Sequence, residues 1–190
     1  MIKGNNVGLR AVEKEDLIFL RDWRNIVEFR RNFREVRELS YSDQESWYNH
    51  LQKTRNINFM FTIVDLHTNK PVGAAGLLYV NWIIRSADFS FYIGDNKKYI
   101  GNDGIAKEAA GLLIDYGFQN LNLNKIWMEL YEFDIQKLDF FIREFKFQKD
   151  GKLRDNCYED GRYWNSYIIS LLNNQWASRV QYQLKSDEKV

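Results

Sequence analysis

A single cysteine, Cys157, excludes an internal disulfide and predicts a reducing, cytoplasmic setting. Two histidines, His50 and His67, with that one cysteine are too few for an ordinary zinc site, so no metal is expected. The only proline is Pro71, and no low-complexity linker offers a hinge between domains. A formal net charge of +1 gives no global pull toward nucleic acid or a membrane surface. No apolar run approaches the roughly 20 residues that span a bilayer. No signal-peptide pattern follows the N-terminal MIKGNNVGLR, and no internal repeat is visible. These absences predict one domain over residues 1–172, followed by a polar tail over 173–190 that is frayed helix or disordered.

Aromatic residues are plentiful, at 16%, which is enough for a sizeable core. Residues 7–12 read as a strand. Glu15 and Asp16 open a helix whose apolar positions are Leu17, Leu20, Trp23 and Val27. Ser42-Asp43-Gln44-Glu45 matches a capping box and predicts a second helix from Asp43 to about Lys53. Residues 57–66 and 72–80 read as strands of a hairpin turning at 67–71. Further strands are predicted at 87–93 and 125–131, with a helix between them whose stripe is Ile105, Ala109, Leu112, Leu113 and Tyr116. Asp134 caps a helix bearing Leu138, Phe141, Ile142 and Phe145. A closing hairpin, 152–158 with 162–172, turns at Glu159-Asp160-Gly161. Strands and helices do not alternate strictly, so the class is mixed α/β (α+β).

The most informative stretch is residues 101–107, Gly-Asn-Asp-Gly-Ile-Ala-Lys, where a glycine-bearing loop opens a helix. A helix N-terminus presents N–H donors and partial positive charge, and glycine lets the backbone approach an anion. Lys97, Lys98 and Lys107 add charge nearby. The pattern is neither a Walker A loop nor a dinucleotide fingerprint.

This loop resembles the acetyl-CoA motif Q/R-x-x-G-x-G/A of the GNAT superfamily, with Gly104-Ile105-Ala106 as its second half and Gly101 in place of the first side chain. The resemblance runs to about Leu172, through Val7-Gly8-Leu9-Arg10, Pro71-Val72-Gly73, 118–126 and the closing hairpin. It implies a single GNAT-like domain with a central, mostly antiparallel sheet of about seven strands, flanked by helices. The fourth and fifth strands, near 87–93 and 125–131, would splay apart. It also implies acetyl-CoA as cofactor, its pyrophosphate held by main-chain donors of Asn102, Asp103, Gly104, Ile105, Ala106 and Lys107. An amide among Phe91, Tyr92 and Ile93 would face the thioester oxygen. Asp134 takes the place of the family's asparagine, Lys137 of its small residue and Phe141 of its tyrosine, so the usual hydroxyl acid is missing. Tyr131 or water would then donate the proton, or the thiolate would leave unassisted.

An amine acceptor must lose a proton, so a base is required. Glu129 is the first candidate, flanked by Trp127, Met128 and Leu130, an apolar setting of the kind that lifts a carboxyl group toward neutrality. Asp88 is the second. The N-terminal part is similar to a branch that acetylates nucleotide-linked amino sugars, through Trp23-Arg24-Asn25, Arg30, Arg31, Phe33, Ser42, Gln44, Trp47 and Tyr48. Arg24, Asn25, Arg30, Arg31 and Trp47 would bind that substrate. With Arg21, Arg34 and Arg37 they make a basic patch suited to a sugar-nucleotide diphosphate and unsuited to a polyamine. The alternatives are a peptide or ribosomal-protein N-terminal acetyltransferase, and a non-catalytic acyl-CoA-binding module. A homodimer is possible under each reading.

Overall fold

The computed structural model describes residues 1–101 and 104–177. The expectations placed on Asn102, Asp103 and residues 178–190 lie outside them. Among the described residues one eight-stranded sheet runs in the order β1-β2-β3-β4-β5-β6-β8-β7. Its strands are β1 (Ile2–Lys3), β2 (Val7–Ala11), β3 (Phe59–Asp65), β4 (Pro71–Asn81), β5 (Ser86–Ile93), β6 (Lys125–Tyr131), β7 (Gln148–Glu159) and β8 (Arg162–Leu172). The helices are α1 (Leu17–Arg24), α2 (Val27–Arg30), α3 (Tyr41–Lys53), α4 (Ile105–Asp115) and α5 (Ile135–Phe145). The short β1 adds one strand to the seven expected, so the expected fourth and fifth strands are β5 and β6.

Every neighbouring pair is antiparallel except β5 and β6. Those two pair in parallel only at Ser86↔Lys125, Ala87↔Ile126 and Asp88↔Trp127. Beyond that point β5 stays on β4 as far as Gly73↔Ile93, while β6 stays on β8 as far as Tyr131↔Ser166. Each strand is held by its antiparallel partner, and the two part as the resemblance implies. Side-chain alternation along β5 then serves both faces of the sheet. Phe89 and Phe91 meet Phe141 of α5 on one face, while Tyr92 meets Trp23 of α1 and Phe33 on the other.

Three expectations change. The first helix breaks at Asn25–Ile26, so Val27 begins α2 and is 67% exposed instead of extending the apolar stripe of Leu17 and Leu20. The capping box sits two residues earlier than expected: Ser40 Oγ accepts from Asp43 N at 3.1 Å, and Asp43 Oδ2 accepts from Ser40 N at 2.8 Å. Asn25 decides this. Its Nδ2 donates to Leu39 O at 2.8 Å and its Oδ1 accepts from Leu39 N at 2.7 Å, delivering the chain to the helix at Ser40. Thirdly, the packed unit continues past Leu172: residues 173–177 are helical, and Trp176 is buried with its Nε1 donating to Asp115 Oδ1 at 2.7 Å. No helix among the described residues is long and apolar enough to cross a membrane.

Buried Asp16 joins β2, β3 and the start of α1. It accepts from Arg10 Nη1 and Nη2, both at 2.7 Å, from Thr62 Oγ1 at 2.7 Å and from Glu13 N at 2.9 Å. Burial works against its ionisation, but these donors outweigh it and hold the carboxyl below the usual carboxylate range. Because the folded pKa is depressed, this stabilisation is present above the unfolded pKa and is lost as pH falls through the folded one, below about pH 4. Asp16→Ala is expected to cost about 3 kcal/mol in urea unfolding at neutral pH, since it strands a partly buried guanidinium. A loss under about 1 kcal/mol would show that Arg10 finds adequate solvent instead.

Candidate active site

The site forms where β5 and β6 part. Asp88 is the last β5 residue paired with β6, and its side chain is 8% exposed. Glu129, two residues beyond Trp127 on β6, lies on the same face. Arg34, from the irregular stretch after α2, bridges them: Nη1 donates to Asp88 Oδ2 at 2.7 Å, and Nη2 lies 3.6 Å from Glu129 Oε2. Burial raises the Asp88 pKa above the carboxylate range despite the opposing charge of Arg34. Glu129 is not in the apolar setting its sequence neighbours suggest, because Met128 and Leu130 point to the opposite face of the strand. Its Oε1 accepts from Asn156 Nδ2 at 2.6 Å and from Ser166 Oγ at 2.7 Å. Tyr131 shares this face, its ring tilted 37° to that of Phe133 with centroids 5.4 Å apart, and burial raises its pKa.

Of the three amides expected to face a thioester oxygen, one remains. Ile93 N donates to Tyr99 O at 2.7 Å, and Gly94 N donates to Val72 O at 2.9 Å. Amides alternate in direction along an antiparallel strand, so Tyr92 N–H, like Gly94 N–H, points to β4. Phe91 N–H points into the gap. The Tyr92 phenol is pushed up to about 12 by burial and is a neutral wall.

The loop between β5 and α4 carries unusual backbone: Asn96, Lys97, Tyr99, Gly101 and Gly104 all have positive φ. Three of these are not glycine, a concentration of strain of the kind found at ligand-binding loops. Gly104 caps α4 with φ +83°, and a Cβ added there meets no heavy atom within 4 Å. Ile105, Ala106 and Lys107 form the first turn of α4, the end of a helix that carries partial positive charge and favours an anion. Glu108 in that turn would repel an anion, but its Oε1 and Oε2 are turned to Asn6 N and Nδ2, both at 2.9 Å. Lys107 is not free to supply charge there, because its Nζ lies 2.7 Å from Glu144 Oε2 of α5. What the described part of this helix head offers a diphosphate is therefore backbone and helix-end charge more than the Lys107 side chain.

A cleft of about 400 Å³ opens beside this loop, lined by Arg31, Lys97, Lys98, Tyr99, Phe133, Asp134 and Gln136 among others. Asp134 is buried at the head of α5. It accepts from Tyr99 Oη at 2.6 Å and from Lys137 N at 3.3 Å. Burial raises the Asp134 pKa, with Lys137 and Tyr99 opposing. Phe141 has no exposed surface and packs against Phe89, Phe91, Phe145 and Phe147, so it offers the gap only a ring.

The arginine patch is largely consumed within the protein. Arg21 pairs with Asp22, Arg30 with Glu38 at 3.8 Å, Arg31 with Asp160 at 2.9 Å, and Arg37 with Glu35 at 2.9 Å. Asn25 is committed to Leu39, and Trp47 packs on the core. Only Arg24 keeps its guanidinium from a carboxylate: it lies 4.2 Å over the Phe33 ring, and its buried Nε has no hydrogen-bond partner among the described residues. Burial lowers its pKa. Sequence reasoning missed Arg34 as a bridge and Tyr99 as the partner of Asp134, and it placed Lys137 at the family's small-residue position without giving it a role. Lys137 left a legible signal, a lysine four residues before Phe141 on an apolar stripe.

Known proteins share this fold. The profile described as Acetyltransferase (GNAT) domain matches residues 6–136. Over 117 residues the chain is 32% identical to the uncharacterized N-acetyltransferase p20 of Bacillus licheniformis, covering 62% of this chain and 64% of that protein. It is 27% identical over 174 residues to a spermidine N(1)-acetyltransferase of Vibrio cholerae, covering 91% and 96%. The crystal structure of spermidine N-acetyltransferase from Vibrio cholerae in complex with CoA and spermine superposes with a TM-score of 0.82 at 25% identity, covering 92% and 99%. The likeness of the N-terminal part to a nucleotide-aminosugar branch finds no support in these relatives.

Gly104→Val is expected to weaken CoA binding roughly tenfold or more, because a branched side chain fills the open space at the head of α4. Calorimetry on a variant with unchanged circular dichroism tests this, and unaltered affinity would move the anion site elsewhere.

Proposed function

The chain belongs to the GNAT acetyltransferase family and is an acetyl-CoA-dependent N-acetyltransferase, and we propose that its acceptor is a small aliphatic polycation of the polyamine class. The observation that carries this reading is the carboxylate pair Asp88 and Glu129, bridged by the Arg34 cation. Arg34 is 53% exposed, so its guanidinium can leave for solvent. An incoming ammonium group replaces one positive charge with another against the same two carboxylates. A diphosphate would instead meet arginines already paired with acids, next to a buried negative charge. Acetyl-CoA supplies the activated acetyl group when bound; the first turn of α4 would hold its pyrophosphate, and Phe91 N–H would face its carbonyl.

In this reading the two carboxylates divide the work. Asp88 is the base, because burial increases its hold on a proton. Glu129, tied down by Asn156 and Ser166, keeps its Oε2 toward the acceptor and anchors the ammonium form. A second reading, a nucleotide-linked amino sugar, is favoured by one observation: the unpartnered Arg24 Nε beside Phe33. A cytoplasmic location and self-association belong to the same proposal. For the latter, the β4–β5 turn presents Trp82, Ile83 and Ile84, with Ile83 93% exposed, and sedimentation velocity of Ile83→Asp against the parent chain tests it.

Thiol release from acetyl-CoA across spermidine, a nucleotide-linked amino sugar and a short peptide decides the acceptor. Turnover of the sugar or peptide alone would sink the polyamine reading, and CoA binding without turnover on any amine would favour a binding module. Asp88→Asn is expected to lower kcat about 10²-fold or more, and Glu129→Gln to raise KM for the amine more than it lowers kcat. The base must be ionised, so activity rises with pH through the Asp88 pKa. The acidic limb of kcat/KM should therefore lie above the ordinary carboxylate value near 4 and disappear in Asp88→Asn. An unchanged limb would clear Asp88 of the role.

A further inference from the structure

We infer that Lys137 supplies the positive charge and the proton required by the sulfur leaving group, in place of the hydroxyl missing at Phe141. The inference rests on the acetyl-transfer reading but not on the identity of the amine.

Lys137 lies on the buried stripe of α5 with Leu138, Phe141 and Phe145, and it is 7% exposed. A lysine there has to give up hydration, which is costly unless a partner compensates. Its Nζ has no hydrogen bond or ion pair among the described residues. It lies 5.4 Å from the Tyr99 ring centre. The charges acting on it come from both faces of the sheet: Asp134 at the head of α5, Asp88 on β5, Arg24 on α1 and Arg34 after α2. These groups come from α5, β5, α1 and the stretch after α2, elements that border the opening between β5 and β6. Asp134 accepts from Tyr99 Oη and from the Lys137 amide, and among the described residues it closes no bond to Nζ. Residues four apart share a helix face, which puts Lys137 one turn toward the gap from the ring of Phe141.

The chemistry balances. The acceptor nitrogen forms its bond to the carbonyl carbon as the carbon–sulfur bond breaks, and sulfur takes the electron pair. The amine proton passes to Asp88, and the Lys137 ammonium gives one proton to sulfur, leaving a neutral amine that solvent reprotonates. Burial favours that neutral amine, while Asp134 and Asp88 oppose the effect; on balance the Lys137 pKa falls below the ordinary lysine range. Tyr131 is a poorer donor, because burial raises its pKa and it lies on the acceptor face against Phe133.

The decisive measurement needs no acceptor. In the protein–CoA complex the thiol is titrated by the ultraviolet absorbance of its thiolate, against the desulfo-CoA complex as blank. A nearby ammonium should lower the bound thiol pKa by about one to three units from its value in free CoA. Lys137→Met, nearly isosteric and apolar, should restore the free value, lower kcat about 10²-fold with KM for the amine unchanged, and remove the basic limb of the kcat profile. That limb should fall below the lysine range near 10.4, because the acid must be protonated to act. A bound thiol that titrates like free CoA in the parent protein overturns the inference without any variant, and so does an identical titration in Lys137→Met. Failure of spermidine turnover alongside a lowered thiol pKa would fault the acceptor proposal and leave Lys137 in place.

Discussion

The site depends on a parallel pairing that stops after three residues. Strands β5 and β6 share a ladder from Ser86 to Asp88 and then follow their other neighbours. Had the ladder continued, Phe91 N–H would be bonded to β6, and no slot would exist between the faces of the sheet. The parting is not a defect in propensity, since both strands are rich in strand-forming residues. It results from two antiparallel commitments, to β4 and to β8, that diverge under sheet twist. The aromatic cluster of Phe89, Phe91, Phe141 and Phe147 packs the α5 side of the opening and keeps it wedged.

Charge is arranged around that opening in a definite order. At the mouth, the head of α4 presents the positive end of a helix. On the buried stripe of α5, Lys137 lies near the Tyr99 ring. On the opposite face, two carboxylates share one half-exposed arginine. A buried ionisable group must be compensated or it shifts its pKa, and here Asp88, Asp134 and Lys137 compensate one another only in part. Partial compensation leaves groups able to exchange protons, which is what acyl transfer to an amine requires.

The order of elements was legible because periodicity and turn chemistry are local. Strand β6 falls at 125–131 as read, Asp134 caps α5, and the hairpin turns at Glu159-Asp160-Gly161. Where the reading slipped, a distant contact had intervened. Asn25 moved the α3 cap to Ser40, and Asp115 drew Trp176 into the core. The arginine patch misled more seriously. Six arginines within residues 21–37 look like a phosphate site, but Glu38, Glu35, Asp22, Asp88 and Asp160 occupy all but Arg24.

By itself the sequence determined the fold class and the order of elements, including a glycine at the head of α4 and a phenylalanine at position 141 of α5, because each rests on residue type and short-range spacing. Only the tertiary structure decided which charges face one another. Asp88 and Glu129 lie 41 positions apart, and Arg34 lies 54 positions before Asp88. Coulomb energy depends on spatial distance and burial, and neither is written in the order of the chain.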